Sequence, residues 1–255
     1  MSNKREREKR REERLQEEAR VDSGDRRTKL LQFGAGAVFL VIVAVVVLIV
    51  VNSGGSSGGD AENLQEVSAV DSLVDKAPQK EMTLGKPEAK VELIEYGDLQ
   101  CPVCKAYSEE VLPQVIENKV DSGAAKITFK NFTIIGEQSL PAGAAAIAAG
   151  LQGRGWNYLE LFYRNQGAEN SGYADDEFLT AVAKAAGVKD IAKWETDRKS
   201  AKVTGEVDAT TSEAQRLGFE GTPSFAIKGP NSNGLELLGN TSTPEEFEEA
   251  IDQAS

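Results

Sequence analysis

Lys90-Val-Glu-Leu-Ile-Glu-Tyr-Gly-Asp-Leu-Gln-Cys-Pro-Val-Cys104 is the stretch whose reading decides the fold. Its first seven residues alternate and include β-branched Val91 and Ile94, the pattern of a strand. Gly97 and Asp98 supply a turn. From Val103 to Val120, Ala106, Val111, Leu112, Val115 and Ile116 recur at helical spacing, with a kink expected at Pro113. Two thiols therefore stand at a strand-to-helix junction, three residues apart. A pair so placed closes a small ring with little backbone movement, which makes oxidation and reduction reversible.

The two cysteines occupy unequal positions. Pro102 suits the first helical turn because it has no N–H to leave unpaired. Cys101, at the helix N-terminus, meets the partial positive charge and free N–H groups that stabilise a thiolate, so it is the expected nucleophile. Cys104, one turn further in, is placed to resolve a mixed disulfide. Other readings of the pair fare worse. A zinc half-site needs two more ligands, and the chain holds two Cys in all and no His. A structural disulfide across so short a loop constrains little of the chain. Two incidental core cysteines sit poorly with the proline between them.

Beyond the motif, Lys126 to Ile135 reads as a second strand, giving the strand-helix-strand unit of a parallel sheet. Residues 139–217 turn helical: the alanine-rich run 142–149, Trp156 to Arg164, Asp176 to Ala186, Ile191 to Asp197 and Ala201 to Leu217. Beta signals return at Ser224 to Ile227 and Leu235 to Leu238, around a turn rich in Gly, Pro, Asn and Ser. Thr243 then caps a last helix starting at Pro244, with Phe247, Ala250 and Ile251 on its buried side.

Upstream, residues 1–32 form a charged tail. From Phe33 to Val51 no side chain is charged, and 19 residues at about 1.5 Å each span roughly the hydrocarbon core of a bilayer. Arg26, Arg27 and Lys29 precede this run and a Gly/Ser stretch follows, so a single-pass helix over 33–51 with a cytoplasmic N-terminus is expected. A cleaved signal peptide is the competing reading, but the apolar run exceeds its usual length. Residues 52–82 read as a flexible linker and 83–255 as the outer domain.

Charge and composition narrow the function. Of 29 Lys/Arg and 41 Asp/Glu, residues 1–29 hold 11 and 8, leaving the rest with 18 against 33. So acidic a body repels phosphate backbones, which excludes nucleic acid as a partner. The absence of histidine removes the usual metal ligand and general base.

The order of strand, Cys-Pro-x-Cys helix, strand, helical insertion, Gly221-Thr222-Pro223 and hairpin resembles the DsbA-like branch of the thioredoxin superfamily, over roughly residues 80–254. Gly155-Trp-Asn-Tyr-Leu-Glu-Leu-Phe-Tyr-Arg-Asn-Gln166 is similar to the first helices of that family's insertion. The resemblance implies an α/β thioredoxin-like fold with a helical insertion, here preceded by a single transmembrane helix. It implies a cis-proline at Pro223 packed against the cysteines, with Gly221, Thr222, Pro102 and Val103 framing the substrate chain. It also implies that Glu95 is a buried acid beneath the site, placed for proton relay. No cofactor or metal is expected. Exported proteins with free thiols are the implied clients, and a membrane enzyme of the DsbB or vitamin K epoxide reductase type is the implied re-oxidant. One departure matters. Many strongly oxidising members carry His between the cysteines, where Val103 can neither donate a hydrogen bond nor supply charge. Reduction or isomerisation at the same site, and a tethered peptide-binding or chaperone module with idle cysteines, stand as the alternatives.

Overall fold

Seven residues of one strand carry the domain. The computed structural model describes residues 63–255 except Asn240, and at its centre lies β3 (Val91–Gly97), almost wholly buried. It pairs in parallel with β4 (Ala125–Asn131) and antiparallel with β5 (Ser224–Lys228). Two short strands, β1 (Gln79–Lys80) and β2 (Thr83–Leu84), extend the sheet beyond β4, and β6 (Glu236–Leu238) closes the other edge, giving the order β1-β2-β4-β3-β5-β6. Alternation along β3 assigns its two faces. Val91 and Leu93 join the main core, whereas Ile94 and Tyr96 pack with Phe132, Ala214 and Ala226 on the opposite side. Glu95 falls in the set that faces the main core and is 1% exposed.

After β3 come α1's successors in the chain, α2 (Pro102–Glu110), α3 (Leu112–Val115) and a π-helical turn at Ile116–Val120, where α1 denotes the earlier helix Val67–Val74. The break between α2 and α3 falls at Val111, just ahead of Pro113, whose ring excludes a continuous ladder. The insertion supplies five helices: α4 (Ser139–Gly150), α5 (Gly155–Arg164), α6 (Asp176–Ala185), α7 (Ile191–Arg198) and α8 (Ala201–Arg216). Alanines along α4 let neighbours approach closely, and Trp194 of α7 reaches its backbone to donate to Ala145 O at 2.9 Å. The last helix, α9 (Pro244–Ala254), opens on a capping box between Thr243 and Glu246 and lays Phe247 against Tyr107 and Phe225.

Two boundaries differ from the sequence reading. The linker expected to reach residue 82 gives way to α1 and β1, so the folded domain begins earlier. Only Val67, Val70, Leu73 and Val74 mark α1 in an otherwise polar stretch, and its N-cap, Glu66, makes no side-chain cap. Two turns of that kind are marginal alone, and tertiary contacts hold them. Val70 and Val74 are buried, and Arg154 pairs with Asp71 and Asp75 at 3.0 and 3.1 Å. Strand β4 also stops at Asn131 rather than Ile135, because the N–H groups of Ile134 and Ile135 leave the ladder to donate to Asp98 Oδ2. Among the described residues no helix is long and apolar enough to cross a membrane. Residues 33–51, read as the spanning helix, lie outside the described residues, as do the tail and the glycine-rich part of the linker.

Docking of α1 is testable. Val74→Asp buries an unpaired carboxylate and is expected to cost on the order of 3 kcal/mol in denaturant unfolding. Ala69→Asp, on the exposed side of the same helix, should stay within about 0.5 kcal/mol. Equal tolerance of both changes would mean that this segment is linker after all.

Candidate active site

The turn from β3 into α2 is fixed from below by Asp98. Its carboxylate accepts from Gln100 N at 2.9 Å, Ile134 N at 2.9 Å and Ile135 N at 3.0 Å, so the loop is tied to the end of β4. Its carbonyl accepts from Cys101 N at 3.0 Å and from the Tyr163 hydroxyl at 3.3 Å. The insertion clamps the same loop from the side. Gln166 Nε2 donates to Leu99 O at 2.6 Å and Cys101 O at 3.1 Å, while Gln100 Nε2 donates to Ser139 Oγ at 3.1 Å. With the loop held by Asp98 on one side and Gln166 on the other, the first residue of the motif has little freedom.

Cys101 is the N-cap of α2, in extended backbone conformation, and its sulfur accepts from Cys104 N at 3.4 Å. Both cysteines are free thiols, and both are buried. The chain returns to the site through the Thr222–Pro223 peptide, which is cis. There the Cys101 thiol donates to Thr222 O at 3.3 Å. Pro102, Val103 and Gly221 are exposed around this contact, Val103 by 45%, and Thr222 and Pro223 are half-buried. The eight residues singled out in the sequence thus come from three places in the fold: β3, the start of α2, and the entry to β5.

The thiols differ in acidity. Hydrogen bonding from the Cys104 side chain does most to lower Cys101, from 9.0 to about 7; burial opposes it, and the N–H groups of Cys104 and Val103 add to it. Burial pushes Cys104 well above the usual thiol range, and the neighbouring charges of Cys101 and Glu95 reinforce the shift. Glu95 is likewise held well above the carboxylate range, first by burial and then by the charges of Glu160 and Cys101. Its Oε1 is buried without a hydrogen-bond partner. A thiol lowered to near neutrality, a second thiol raised behind it and a buried acid raised with them form a set suited to disulfide exchange. Among the described residues no group of three or more Cys, Asp or Glu side chains is placed to hold a metal ion.

Sequence reasoning passed over Asp98, Gln166 and Glu160. Gln166 acts across 65 residues, a separation that no local pattern announces. Glu160 left a readable trace. It lies between Trp156 and Tyr163 on a helix whose residues 155–163 are all buried, so a carboxyl there cannot reach water.

Comparison with known proteins agrees with this geometry. A family model described as thioredoxin matches residues 77–253. A probable disulfide bond formation protein D of Bacillus cereus is 30% identical over 156 residues, 60% of this chain and 72% of that protein. The crystal structure of oxidised BdbD from Bacillus subtilis superposes with a TM-score of 0.60 at 20% identity, over 71% of this chain and 94% of that one. A thioredoxin-like oxidoreductase from Silicibacter pomeroyi does so with a TM-score of 0.53 at 28% identity, over 72% and 96%.

The thiol titration gives a direct check. Thiolate absorbance of the reduced protein should show a first midpoint near pH 7. Replacing Cys104 by Ala removes the largest lowering contribution, so the Cys101 midpoint should rise. A midpoint unchanged in Cys104→Ala would assign the acidity to the helix terminus alone.

Proposed function

We propose, for a chain that belongs to the thioredoxin family and is a thiol:disulfide oxidoreductase of the DsbA type, that it donates its Cys101–Cys104 disulfide to exported proteins from a membrane tether. The observation that carries this reading is the unequal pair: Cys101 lowered to about 7 at the start of α2 and held against Thr222 O, Cys104 raised behind it. A client thiolate attacks Cys101 Sγ, the Cys101–Cys104 bond breaks, and the electron pair leaves on Cys104. That buried thiolate takes a proton, for which Glu95 is the nearby donor. A second client thiolate then attacks the client sulfur of the mixed disulfide and releases Cys101 as thiolate. The client loses two electrons and the chain gains them. The names of the Bacillus relatives favour this direction over reduction or isomerisation.

The tether rests on sequence. Residues 33–51 carry no charge and follow Arg26, Arg27 and Lys29, which favours a cytoplasmic tail and an outer catalytic domain. Disulfides persist on that side of the membrane. Regeneration then requires a membrane-embedded oxidant, for which an enzyme of the DsbB or vitamin K epoxide reductase type has suitable chemistry.

Cys101→Ser should abolish oxidation of a reduced test protein, whereas Cys104→Ser should accumulate mixed disulfides through Cys101. Normal oxidation by Cys101→Ser would leave the peptide-binding alternative standing. For the tether, protease added to intact cells should cleave the domain, and alkaline extraction should leave the chain in the membrane. Protection from protease would reverse the proposed orientation.

A further inference from the structure

The exchange reaction leaves one buried acid without a task. Glu160, on α5, is fully buried. Both of its oxygens accept from the Ser108 hydroxyl, at 3.1 and 3.0 Å, and Ser108 stands one turn after Cys104 on α2. On the far side Arg164 Nη1 donates to Glu160 Oε2 at 2.7 Å. Arg164 is itself nearly buried, and its Nε lies 3.1 Å from Glu66, whose side chain is 61% exposed. A line of polar groups thus runs from α2 through Glu160 and Arg164 to the surface at the foot of α1.

The charges on this line are unevenly compensated. Glu160 has a cation and a hydroxyl; Glu95, which feels its charge from β3, has an Oε1 with no partner at all. Two carboxyls in so dry a space cannot both ionise cheaply, and the one with the guanidinium holds the charge at lower cost. The other groups facing Glu160 do not change the order. Glu109 and Tyr107 come from α2, Glu95 from β3, Glu66 from the segment before α1, and Arg164 is the cation. Burial raises Glu160 to about 7 despite Arg164 and Ser108, and Glu95 is held well above its usual range with Glu160 as the second cause.

We propose that Glu160 is a positioning residue for the exchange reaction: paired with Arg164 and Ser108, it holds the negative charge of the buried site and thereby keeps on Glu95 the proton to be delivered to Cys104. When the Cys101–Cys104 bond breaks, the electron pair goes to Cys104 Sγ, the proton passes from Glu95 to that sulfur, and Glu95 regains a proton from water. In re-oxidation the proton leaves Cys104 by the reverse step. Glu160 touches no reacting sulfur; it acts through Glu95. This rests on the exchange reading of Cys101 and Cys104.

The test is a carboxyl ¹³C NMR titration of the full chain labelled at glutamate, reduced and oxidised. In the unaltered protein Glu160 should ionise before Glu95. In Glu160→Gln the Glu95 midpoint should fall by about one pH unit or more. Glu160→Asp, which keeps the charge, should leave Glu95 titrating close to its original midpoint. The pH profile of peptide-dithiol oxidation should lose the same step in Glu95→Gln and in the double variant Glu95→Gln/Glu160→Gln. Ionisation of Glu95 before Glu160 in the unaltered protein, or a Glu95 midpoint that ignores Glu160→Gln, would overturn the proposal, and the first of these needs no variant to fold. If the midpoints behave as stated while the unaltered protein exchanges no disulfide, the parent reading fails and the coupling of the two carboxyls stands.

Discussion

Asp98 is the group on which the geometry of the site depends. A carboxylate with no access to water must have its oxygens occupied, and here three backbone N–H groups do so, one from the loop before Cys101 and two from the chain leaving β4. That arrangement ties the ends of two parallel strands and sets where α2 begins. Once α2 begins at Pro102, Cys101 is its N-cap and Cys104 lies a turn inside, and the difference between the two thiols follows. Gln166 completes the restraint by holding the carbonyls on the other edge of the loop. Rigid support from a strand end, a helix start and a long-range amide keeps a reactive sulfur in one place.

The same asymmetry explains why the two sulfurs do different work. Both are buried, so solvent access alone does not separate them. Cys101 has donors directed at it and ends near neutrality; Cys104 has burial and like charges around it and stays a thiol. Exposed Val103 and Pro102 in front and the Thr222 carbonyl beside Cys101 leave a narrow approach to that sulfur. On the proposed reading an incoming thiolate meets Cys101 first, and the electron pair it displaces goes to the buried Cys104 sulfur.

Much of this was legible in the sequence because it is local. Alternation in Val91 to Tyr96, the turn at Gly97, the Pro after Cys101 and the helical spacing up to Ile116 each announce themselves within a few residues. The helices of the insertion and the capped last helix were readable for the same reason. What escaped is what the tertiary fold decides. Glu95 could be an exposed strand residue or a buried one, and only helices on both faces of the sheet make it buried. The helix at Val67–Val74 has too few apolar positions to signal itself, and Arg154, 79 residues from Asp75, secures it. Asp98 reads as a turn former, and nothing near it tells that its oxygens will serve residues 134 and 135.

The acidity of Cys101 bears on what sets the direction of electron flow. Lowering a thiol from 9.0 to about 7 stabilises the reduced form fully only above pH 9, where even the unperturbed thiol would be ionised. With its pKa close to 7, the Cys101 thiol is only partly ionised at neutrality, and the gain there is under about 1 kcal/mol, on the order of 10 mV for a two-electron couple. A strongly oxidising member, with a nucleophile of pKa about 3.5, is fully ionised at neutrality and already draws about 5 kcal/mol there. Val103 offers no charge to reach that value. A thiol with pKa close to ambient pH is, however, the fastest attacking group, since thiolate fraction and nucleophilicity are balanced there. The site is thus built for rapid exchange more than for extreme potential. In such a design, direction comes from whichever partner keeps the pair oxidised, and on the proposed tether a membrane oxidant would meet the pair at high local concentration.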